Sequence, residues 1–285
     1  MTIAPESTFA FLSVVDAYKW WINSDFGILQ ATGILDANGI RTNRPTGTFD
    51  LQTMRQIARA YTVNRNIPAH NNDAAGQAVV DALCAPETAK WLESPFPERA
   101  ERLADFVKAN TVALAPNEKG EVLNHELASA YSKLSWFLRP EDWTIFDKYV
   151  GAAVLRREQA GLDQMNSYYA ALAPRWRQTS AALIEAVERQ GLPGQLGYRI
   201  ADKYLFYQGI GMYEPDLRKS GKPFDKLNPR TTTDQRLLSP AVQASLASLT
   251  ATERVLSQHM GDSLRRLAED VAPILSASQW IQDPA

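Results

Sequence analysis

The chain of 285 residues is long enough for one large domain or two closely associated lobes, and its 45% hydrophobic content allows a sizeable core. Its single cysteine, Cys84, excludes an intrachain disulfide and any cysteine-ligated zinc or iron–sulfur site built from this chain alone, and its three scattered histidines disfavour a zinc site. The net charge of −2 gives no global sign of nucleic-acid binding. Because the sequence has no run of roughly 18 apolar residues and no signal-peptide pattern, we expect a soluble cytoplasmic protein.

The N-terminal third is predicted to contain helices on either side of one irregular segment. Residues 23–47 are rich in Gly, Asn, Thr and Pro, which is typical of an irregular connection. Thr48 or Asp50 can cap the helix that follows, and Asp73 can cap the next one. Together with the helical spacing of apolar residues, these signals predict helices over residues 9–22, 50–61 and 73–83.

The middle of the chain is predicted to contain helices separated by prolines, because proline lacks a backbone donor and clashes with the preceding turn. Pro95 and Pro97 divide residues 87–114 into two helices, and Pro140 and Pro174 mark two later breaks. Further helices are predicted over residues 121–138, 147–171 and 176–190.

Helical spacing continues after Gly191, a residue suited to closing a helix. Residues 213–240 are polar and rich in proline, so we expect a long loop there, followed by two last helices up to residue 279. No sustained apolar–polar alternation and no repeat of fixed period is present. The expected fold is therefore mostly α. The sequence also lacks the GK[ST] phosphate loop and the GxGxxG, HExxH and GxSxG motifs.

One stretch, YSKLSWFLRPEDWTIFDKYV at residues 131–150, carries candidate chemistry. It places Lys133 and Asp147 fourteen positions apart, on either side of the break at Pro140. A carboxylate can stabilise the positive charge that develops on deoxyribose as an N-glycosidic bond breaks, and a neutral lysine amine can attack C1′ and form a Schiff base. A structural ion pair would use the same two side chains, so the pattern alone leaves both interpretations open.

The same stretch resembles the core of the helix-hairpin-helix DNA glycosylases, most closely their bacterial branch with an 8-oxoguanine-glycosylase-like fold. In that superfamily a lysine opens a helix, and an aspartate follows in a segment of the form apolar-apolar-Asp-x-x-Val. Here that segment is Ile145-Phe146-Asp147-Lys148-Tyr149-Val150. A second segment of the branch, of the form Arg-x-x-Asp-x-x-Leu-Phe-x-x-Gly, corresponds to residues 199–209. The resemblance covers roughly residues 121–211 and does not extend to the first 115 or the last 70.

The resemblance implies a two-lobed helical fold with a cleft between the lobes. Together with the predicted elements, it divides the chain into an N-terminal helical lobe at residues 1–115, a glycosylase-like core at 116–212, and a loop with C-terminal helices at 213–285 that are expected to pack on the same body. It also implies a monomeric DNA glycosylase, without cofactor or metal, that excises a damaged or modified base flipped out of double-stranded DNA. The setting would be DNA repair or defence against phage with modified genomes. Asp147 would stabilise the transition state, and Lys133 is the candidate Schiff-base nucleophile.

Nearby aromatic, acidic and basic residues supply candidate DNA contacts, since a flipped base needs an aromatic face and a few polar groups. The candidates for the base pocket are Trp136, Phe137, Trp143, Asp202, Tyr204 and Phe206. The candidates for phosphate contacts are Arg139, Lys148, Arg156 and Arg157. The alternatives are that the aromatic residues belong to the core, that Asp147 only caps a helix, and that the basic residues lie on solvated faces.

The segment before Lys133 departs from the superfamily pattern. Glycosylases of this kind hold a DNA phosphate with the backbone amides of a glycine-any-glycine hairpin, whereas LNHELASAYS contains no glycine. The spacing from lysine to aspartate is also a few residues shorter than in endonuclease III-like relatives. These departures favour a second hypothesis, in which the chain is a non-catalytic α-helical scaffold that binds DNA or protein.

Overall fold

The computed structural model describes residues 5–61, 63, 67, 73–113, 124–156, 161–219 and 258–278. Within these ranges the chain is mostly helical, as predicted, with one two-residue antiparallel pairing of β1 (Val112–Ala113) with β2 (Asn124–His125). A π-helical turn, Trp21–Asp25, joins the first two helices. In chain order the helices are α1 (Pro5–Trp20), α2 (Phe26–Ala31), α3 (Leu51–Ala60), α4 (Asp73–Leu83), α5 (Pro86–Leu92), α6 (Phe96–Ala109), α7 (Ala128–Leu138), α8 (Lys148–Leu155), α9 (Leu162–Arg189), α10 (Gln195–Lys219) and α11 (Gln258–Ala277).

The predicted start of α3 is confirmed in its atomic detail. Asp50, and not Thr48, takes the capping position, and its Oδ1 accepts a hydrogen bond of 2.7 Å from the backbone N–H of Thr53. This bond satisfies one of the N–H groups that a helix start leaves without a partner. It also lowers the pKa of the Asp50 carboxyl, because the bond favours the charged form.

The prediction of an irregular segment at residues 23–47 is wrong over its first third. Residues 23–25 belong to the π-helical turn, and α2 follows directly although it contains Gly27. Ile28 and Leu29 in α2 are fully buried. The free energy gained by burying these two side chains exceeds the cost of the low helix propensity of Gly27.

Three predicted helix boundaries in the middle of the chain are also wrong. The helix predicted over residues 121–138 begins only at Ala128, because Asn124–His125 form β2. Pro174 lies inside α9 and does not break it. Leu172 and Trp176 are buried on either side of this proline, and their packing offsets the lost hydrogen bond. The break falls earlier, after Leu155, where Arg156 adopts a left-handed backbone conformation with φ of 56°. The single helix predicted over residues 147–171 is therefore two helices in the structure, α8 and the first part of α9.

The C-terminal predictions are tested only in part. Residues 213–219 belong to α10, so the expected loop does not begin at Tyr213. Residues 220–257, which include the rest of that loop and the first of the two expected helices, lie outside the described residues. The second expected helix is confirmed as α11. In the described part of the chain, no helix is both long enough and apolar enough to cross a membrane.

The chain divides into two compact units that alternate along the sequence. Unit 1 comprises Met1–Trp21, Lys148–Glu158 and Pro174–Ala285, and unit 2 comprises Ile22–Asp147 and Gln159–Ala173. The segment 116–212, grouped in the sequence analysis as one core, contributes residues to both units.

In unit 1, α10 packs against both α8 and α1, and α1 also packs against α11. The crossing of α8 and α10 depends on Gly209, the last residue of the second motif. A Cβ atom at this position would lie 1.8 Å from the carbonyl oxygen of Tyr149. Glycine therefore permits an approach between the two helix backbones that any other residue would prevent.

Candidate functional site

Lys133 lies inside α7 of unit 2, and only 5% of its surface is exposed. Its Nζ donates a hydrogen bond of 2.7 Å to the Ser129 hydroxyl, one helical turn earlier, and another of 3.3 Å to the carbonyl oxygen of Phe146. That carbonyl belongs to the peptide bond between Phe146 and Asp147. The fold therefore brings the lysine amine to the backbone of the aspartate with which the sequence analysis pairs it.

The segment 143–147, which lies outside regular secondary structure, is held in place by side-chain hydroxyl groups. The backbone N–H of Phe146 donates a hydrogen bond of 2.6 Å to Ser132 Oγ in α7. The same Ser132 Oγ lies 2.9 Å from the hydroxyl of Tyr169, which in turn donates to the carbonyl oxygen of Thr144. A segment outside regular structure must satisfy its backbone groups in this way when it is buried.

Tyr168 completes this arrangement by donating a hydrogen bond of 3.4 Å to the carbonyl oxygen of Ile145. The carbonyl groups of residues 144, 145 and 146 thus each accept a hydrogen bond from a side chain. The position of the Phe146–Asp147 peptide is fixed by α7 and by the adjacent residues Tyr168 and Tyr169. This preorganisation is what a site needs if a carboxylate is to act at a defined place.

Asp147 is half-buried and immediately precedes α8, so the predicted helix start at this residue is confirmed. A carboxylate in this position interacts favourably with the free N–H groups and the dipole at the start of a helix. The catalytic interpretation and the helix-cap interpretation require the same location. The geometry is consistent with both of them.

Most of the predicted base-pocket aromatic residues lie in the core. Trp136, Phe137, Trp143 and Tyr204 are each at most 1% exposed. Trp143, for example, stacks on Tyr169 with ring centroids 4.5 Å apart. Rings enclosed to this degree have no open face for a base, and the core interpretation accounts for them. Among the predicted aromatic residues, Phe206 alone is half-buried.

The predicted phosphate contacts lie in different surroundings. In unit 2, Arg139 is half-buried and donates from Nη1 to the carbonyl oxygen of Pro45. In unit 1, the Nζ of Lys148 lies 4.7 Å from the ring of the neighbouring Tyr149, and Arg156 is exposed. Arg157 lies outside the described residues.

Asp202 belongs to a buried charge cluster in unit 1. Its carboxylate accepts a hydrogen bond of 2.5 Å from Arg199, and both side chains are buried. The neighbouring Lys203 pairs with Asp16 of α1 at 2.8 Å, and its Nζ lies 4.5 Å from the ring centroid of Trp20. Burial lowers the pKa of Lys203, and the Asp16 carboxylate opposes this effect.

Sequence reasoning missed the pairing of Asp16 with Lys203. The available signal was the position of Asp16, an acidic residue directly after the apolar pair Val14–Val15 in a predicted helix. An acid on an apolar helix face needs a buried partner, because an unpaired buried charge is strongly unfavourable. The identity of that partner is not encoded nearby in the sequence.

Among the described residues, two lysines are buried in defined surroundings, one beside the Asp147 peptide and one paired with Asp16. No protein-family model, curated protein or solved structure matches this chain.

Proposed function

We propose that this protein is a DNA glycosylase that cleaves the N-glycosidic bond of a damaged or modified base flipped out of double-stranded DNA. The observation that carries the proposal is the hydrogen bond from Lys133 Nζ to the carbonyl oxygen of Phe146, 3.3 Å long. It brings the candidate nucleophile to the residue next to the candidate carboxylate, in the motif on which the resemblance rests. The proposal includes a two-lobed arrangement with a cleft, a monomeric state, and a role in DNA repair or antiphage defence.

The chemistry assigns a distinct role to each residue. As the bond from C1′ to the base breaks, positive charge develops on the sugar, and the Asp147 carboxylate stabilises it. The electron pair of the broken bond leaves with the base, which takes up a proton. In the bifunctional form the neutral amine of Lys133 forms the new bond to C1′, and ring opening gives a Schiff base. In the monofunctional form a water molecule attacks C1′ instead.

The fixed backbone around Asp147 supports this assignment. Rates fall steeply when a catalytic group is displaced, and the segment that contains Asp147 is held by hydroxyl groups of Ser132, Tyr168 and Tyr169. Among the predicted aromatic candidates, only Phe206, in unit 1, is half-buried and not enclosed in the core. The selectivity for a particular base would depend on the shape of the pocket that receives it.

The test is an excision assay on a panel of DNA duplexes, each with one base lesion or phage-type base modification. Strand cleavage by hot alkali reveals the abasic sites that a glycosylase leaves. We expect excision of at least one base, and a fall of about 10²–10³-fold in the single-turnover rate for Asp147→Asn. Asp163→Asn is the matched control, because Asp163 lies exposed in the first turn of α9 and its substitution should leave the rate unchanged. Full activity of Asp147→Asn would refute the assigned role.

A non-catalytic scaffold that binds DNA or protein is the second candidate function. Two observations favour it: the segment before Lys133 lacks a glycine hairpin, and the Lys133 amine already has hydrogen-bond partners in the folded chain. Tight binding to duplex DNA without abasic sites on any substrate of the panel would support this alternative.

A further inference from the structure

A serine and a lysine are in contact on one face of α7 in unit 2. The sequence of this helix, ASAYSKLSWFL, places Ser129 in the first turn and Lys133 four positions later. Side chains four positions apart are neighbours on a helix surface, and long side chains lean back towards the helix N-terminus. The amine of Lys133 therefore lies beside Ser129, and the distance from Nζ to the Ser129 hydroxyl oxygen is 2.7 Å.

The exposure of the two side chains suits a serine that is activated by a base. Ser129 is half-buried, so part of its surface is open to a substrate, whereas Lys133 is only 5% exposed. Burial disfavours the charged form of an amine, and only the neutral form can accept a proton. The serine is therefore the accessible member of the pair, and the lysine is the enclosed one.

The carbonyl oxygen of Phe146 orients the lysine amine. It lies 3.3 Å from Nζ and can only accept a hydrogen bond, whereas the Ser129 hydroxyl can donate or accept. When Lys133 is neutral, an N–H group directed at Phe146 leaves the lone pair of the amine to receive the serine proton. A nucleophile within hydrogen-bond reach of a base, with the base held by a third group, is the arrangement of an activated serine.

Ser129 also lies where the backbone can stabilise negative charge. Helix α7 begins at Ala128, and the N–H of Tyr131 donates to the carbonyl oxygen of Leu127 at the capping position. The N–H groups of Ser129 and Ala130 precede this bond and have no carbonyl group one turn earlier within the helix. Such groups favour a nearby anion, such as the carbonyl oxygen of an ester under attack.

We propose that Ser129 is a nucleophile activated by Lys133 and that the pair hydrolyses carboxylic esters. Serine–lysine pairs are a known variant of the serine–histidine–aspartate arrangement. Ser129 Oγ forms a bond to the carbonyl carbon of the ester and gives its proton to Lys133 Nζ. The alcohol then leaves with the proton from Nζ, and the acyl group remains on Ser129.

The second half of the reaction restores the serine. Water attacks the carbonyl carbon of the acylated Ser129 and gives a proton to Nζ of Lys133. The bond from Oγ to the acyl carbon breaks, Oγ takes the proton back, and the carboxylic acid leaves. Water is the only co-reactant. This activity is separate from the proposed glycosylase and does not rest on it, although both use the amine of Lys133.

The experiment treats the full chain, without DNA, with a fluorophosphonate that carries a fluorescent dye. An activated serine displaces fluoride from this probe and becomes labelled, whereas an ordinary serine hydroxyl is too weak a nucleophile. We expect labelling of the wild type, located at Ser129 by peptide mass spectrometry, and none after Ser129→Ala. An unlabelled wild type, or labelling that survives Ser129→Ala, would refute the proposal.

Ser167→Ala is the matched control. Ser167 is an exposed serine of α9 whose hydroxyl donates to the carbonyl oxygen of Asp163, one turn earlier, and not to a lysine. We expect this variant to be labelled at the wild-type rate. A loss of labelling in Ser167→Ala would assign the reactive hydroxyl to the wrong serine.

Lys133→Arg tests the lysine as the base. Arginine keeps the positive charge and the N–H donors but does not lose its proton, so we expect the labelling rate to fall by about 10²-fold or more. Circular dichroism verifies that this variant is folded. The wild type gives a second test without any substitution, because its labelling rate should rise with pH as Lys133 becomes neutral. A rate that does not change with pH would overturn the role of Lys133.

Hydrolysis of p-nitrophenyl acetate, followed by the release of p-nitrophenolate, tests for turnover. We expect hydrolysis by the wild type and by Ser167→Ala, and its loss in Ser129→Ala. Labelling of the wild type without ester hydrolysis would overturn the assigned reaction. Neither measurement contains DNA, so a failure of this proposal appears whether or not bases are excised, and a failure of the glycosylase proposal appears only in the excision assay.

Discussion

Two buried lysines, one in each unit, occupy chemically different surroundings. Lys133 of unit 2 donates hydrogen bonds to a hydroxyl and to a backbone carbonyl, both neutral acceptors. Lys203 of unit 1 forms an ion pair with Asp16, and its Nζ faces the rings of Trp20 and Phe206. Burial disfavours the charged form of Lys203, and the carboxylate of Asp16 opposes this effect.

The difference assigns a distinct role to each lysine. Lys203 and Asp16 join α10 to α1 within unit 1, so their contribution is to stability. Lys133 lies beside the Asp147 peptide, which is the position from which we propose that it acts in the reaction. Each of the following predictions tests one side of this comparison.

The largest effect is expected for Lys133 in an adduct-trapping experiment. Borohydride reduces a Schiff base to a stable amine, so a bifunctional enzyme should give a covalent protein–DNA adduct on gel electrophoresis. Lys133→Gln should abolish this adduct. The double variant Asp16→Asn/Lys203→Met should still form it, since that variant removes only the charge pair of unit 1.

Other outcomes of the trapping experiment would change the assignment. An adduct that survives Lys133→Gln but disappears in the double variant would reverse the two roles. Base excision without any adduct would indicate a monofunctional enzyme in which water attacks and Lys133 serves a structural purpose. An adduct that survives in both variants would point to another amine, such as Lys148.

A large loss of stability is expected for Asp16→Asn. This change leaves the buried ammonium of Lys203 without its carboxylate, which typically costs about 3–5 kcal/mol in the free energy of unfolding. Asp16→Asn/Lys203→Met should be more stable than Asp16→Asn, because it removes both charges. Urea denaturation measures these differences.

Glu185→Gln is the control for this series. It breaks an exposed ion pair with Arg189, one helical turn away on α9, where the distance is 3.7 Å. We expect a loss of no more than about 0.5 kcal/mol for such a pair. An equally small loss for Asp16→Asn would show that the buried pair contributes little to the free energy of unfolding.

The smallest effect is a dependence of stability on pH that comes from Lys203. Its pKa in the folded protein lies below the ordinary value of 10.5, chiefly because of burial. Between these two pKa values the unfolded chain binds a proton that the folded chain does not, so stability rises with pH. This contribution is complete above pH 10.5 and is lost as the pH falls through the lowered pKa.

Tyr131 acts in the opposite direction at higher pH. Burial raises the pKa of its phenol to about 12 from an ordinary value of 10, so its contribution is complete below pH 10 and is lost as the pH rises towards 12. Burial also raises the pKa of the Cys84 thiol above its ordinary value of 9.0, so only a comparison of the wild type with Lys203→Met, in which the Cys84 effect cancels, isolates Lys203 between pH 8 and 10. The difference in slope between the wild type and Lys203→Met should be positive and at most about 1.4 kcal/mol per pH unit. The exposed Lys108→Met should leave the slope unchanged.

The features that the sequence determined by itself depend on neighbouring residues. Asp50 starts α3, Asp147 precedes α8, and Pro95 separates two helices, because capping and proline geometry act within one helical turn. The mostly helical class follows from apolar spacing, which is likewise local. The sequence also placed Lys133 and Asp147 in one motif, on either side of a helix break.

Only the tertiary structure decided which of these local preferences prevailed and which charges met. Burial of Leu172 and Trp176 keeps α9 continuous through Pro174, and burial of Ile28 and Leu29 forms α2 in a segment rich in turn-forming residues. Tertiary packing also enclosed Trp143 in the core, and it brought Asp16 to Lys203, a residue far from it in the sequence. The physical reason is that the free energy of burial depends on surfaces contributed by distant segments, whereas helix propensity and capping depend on adjacent residues alone.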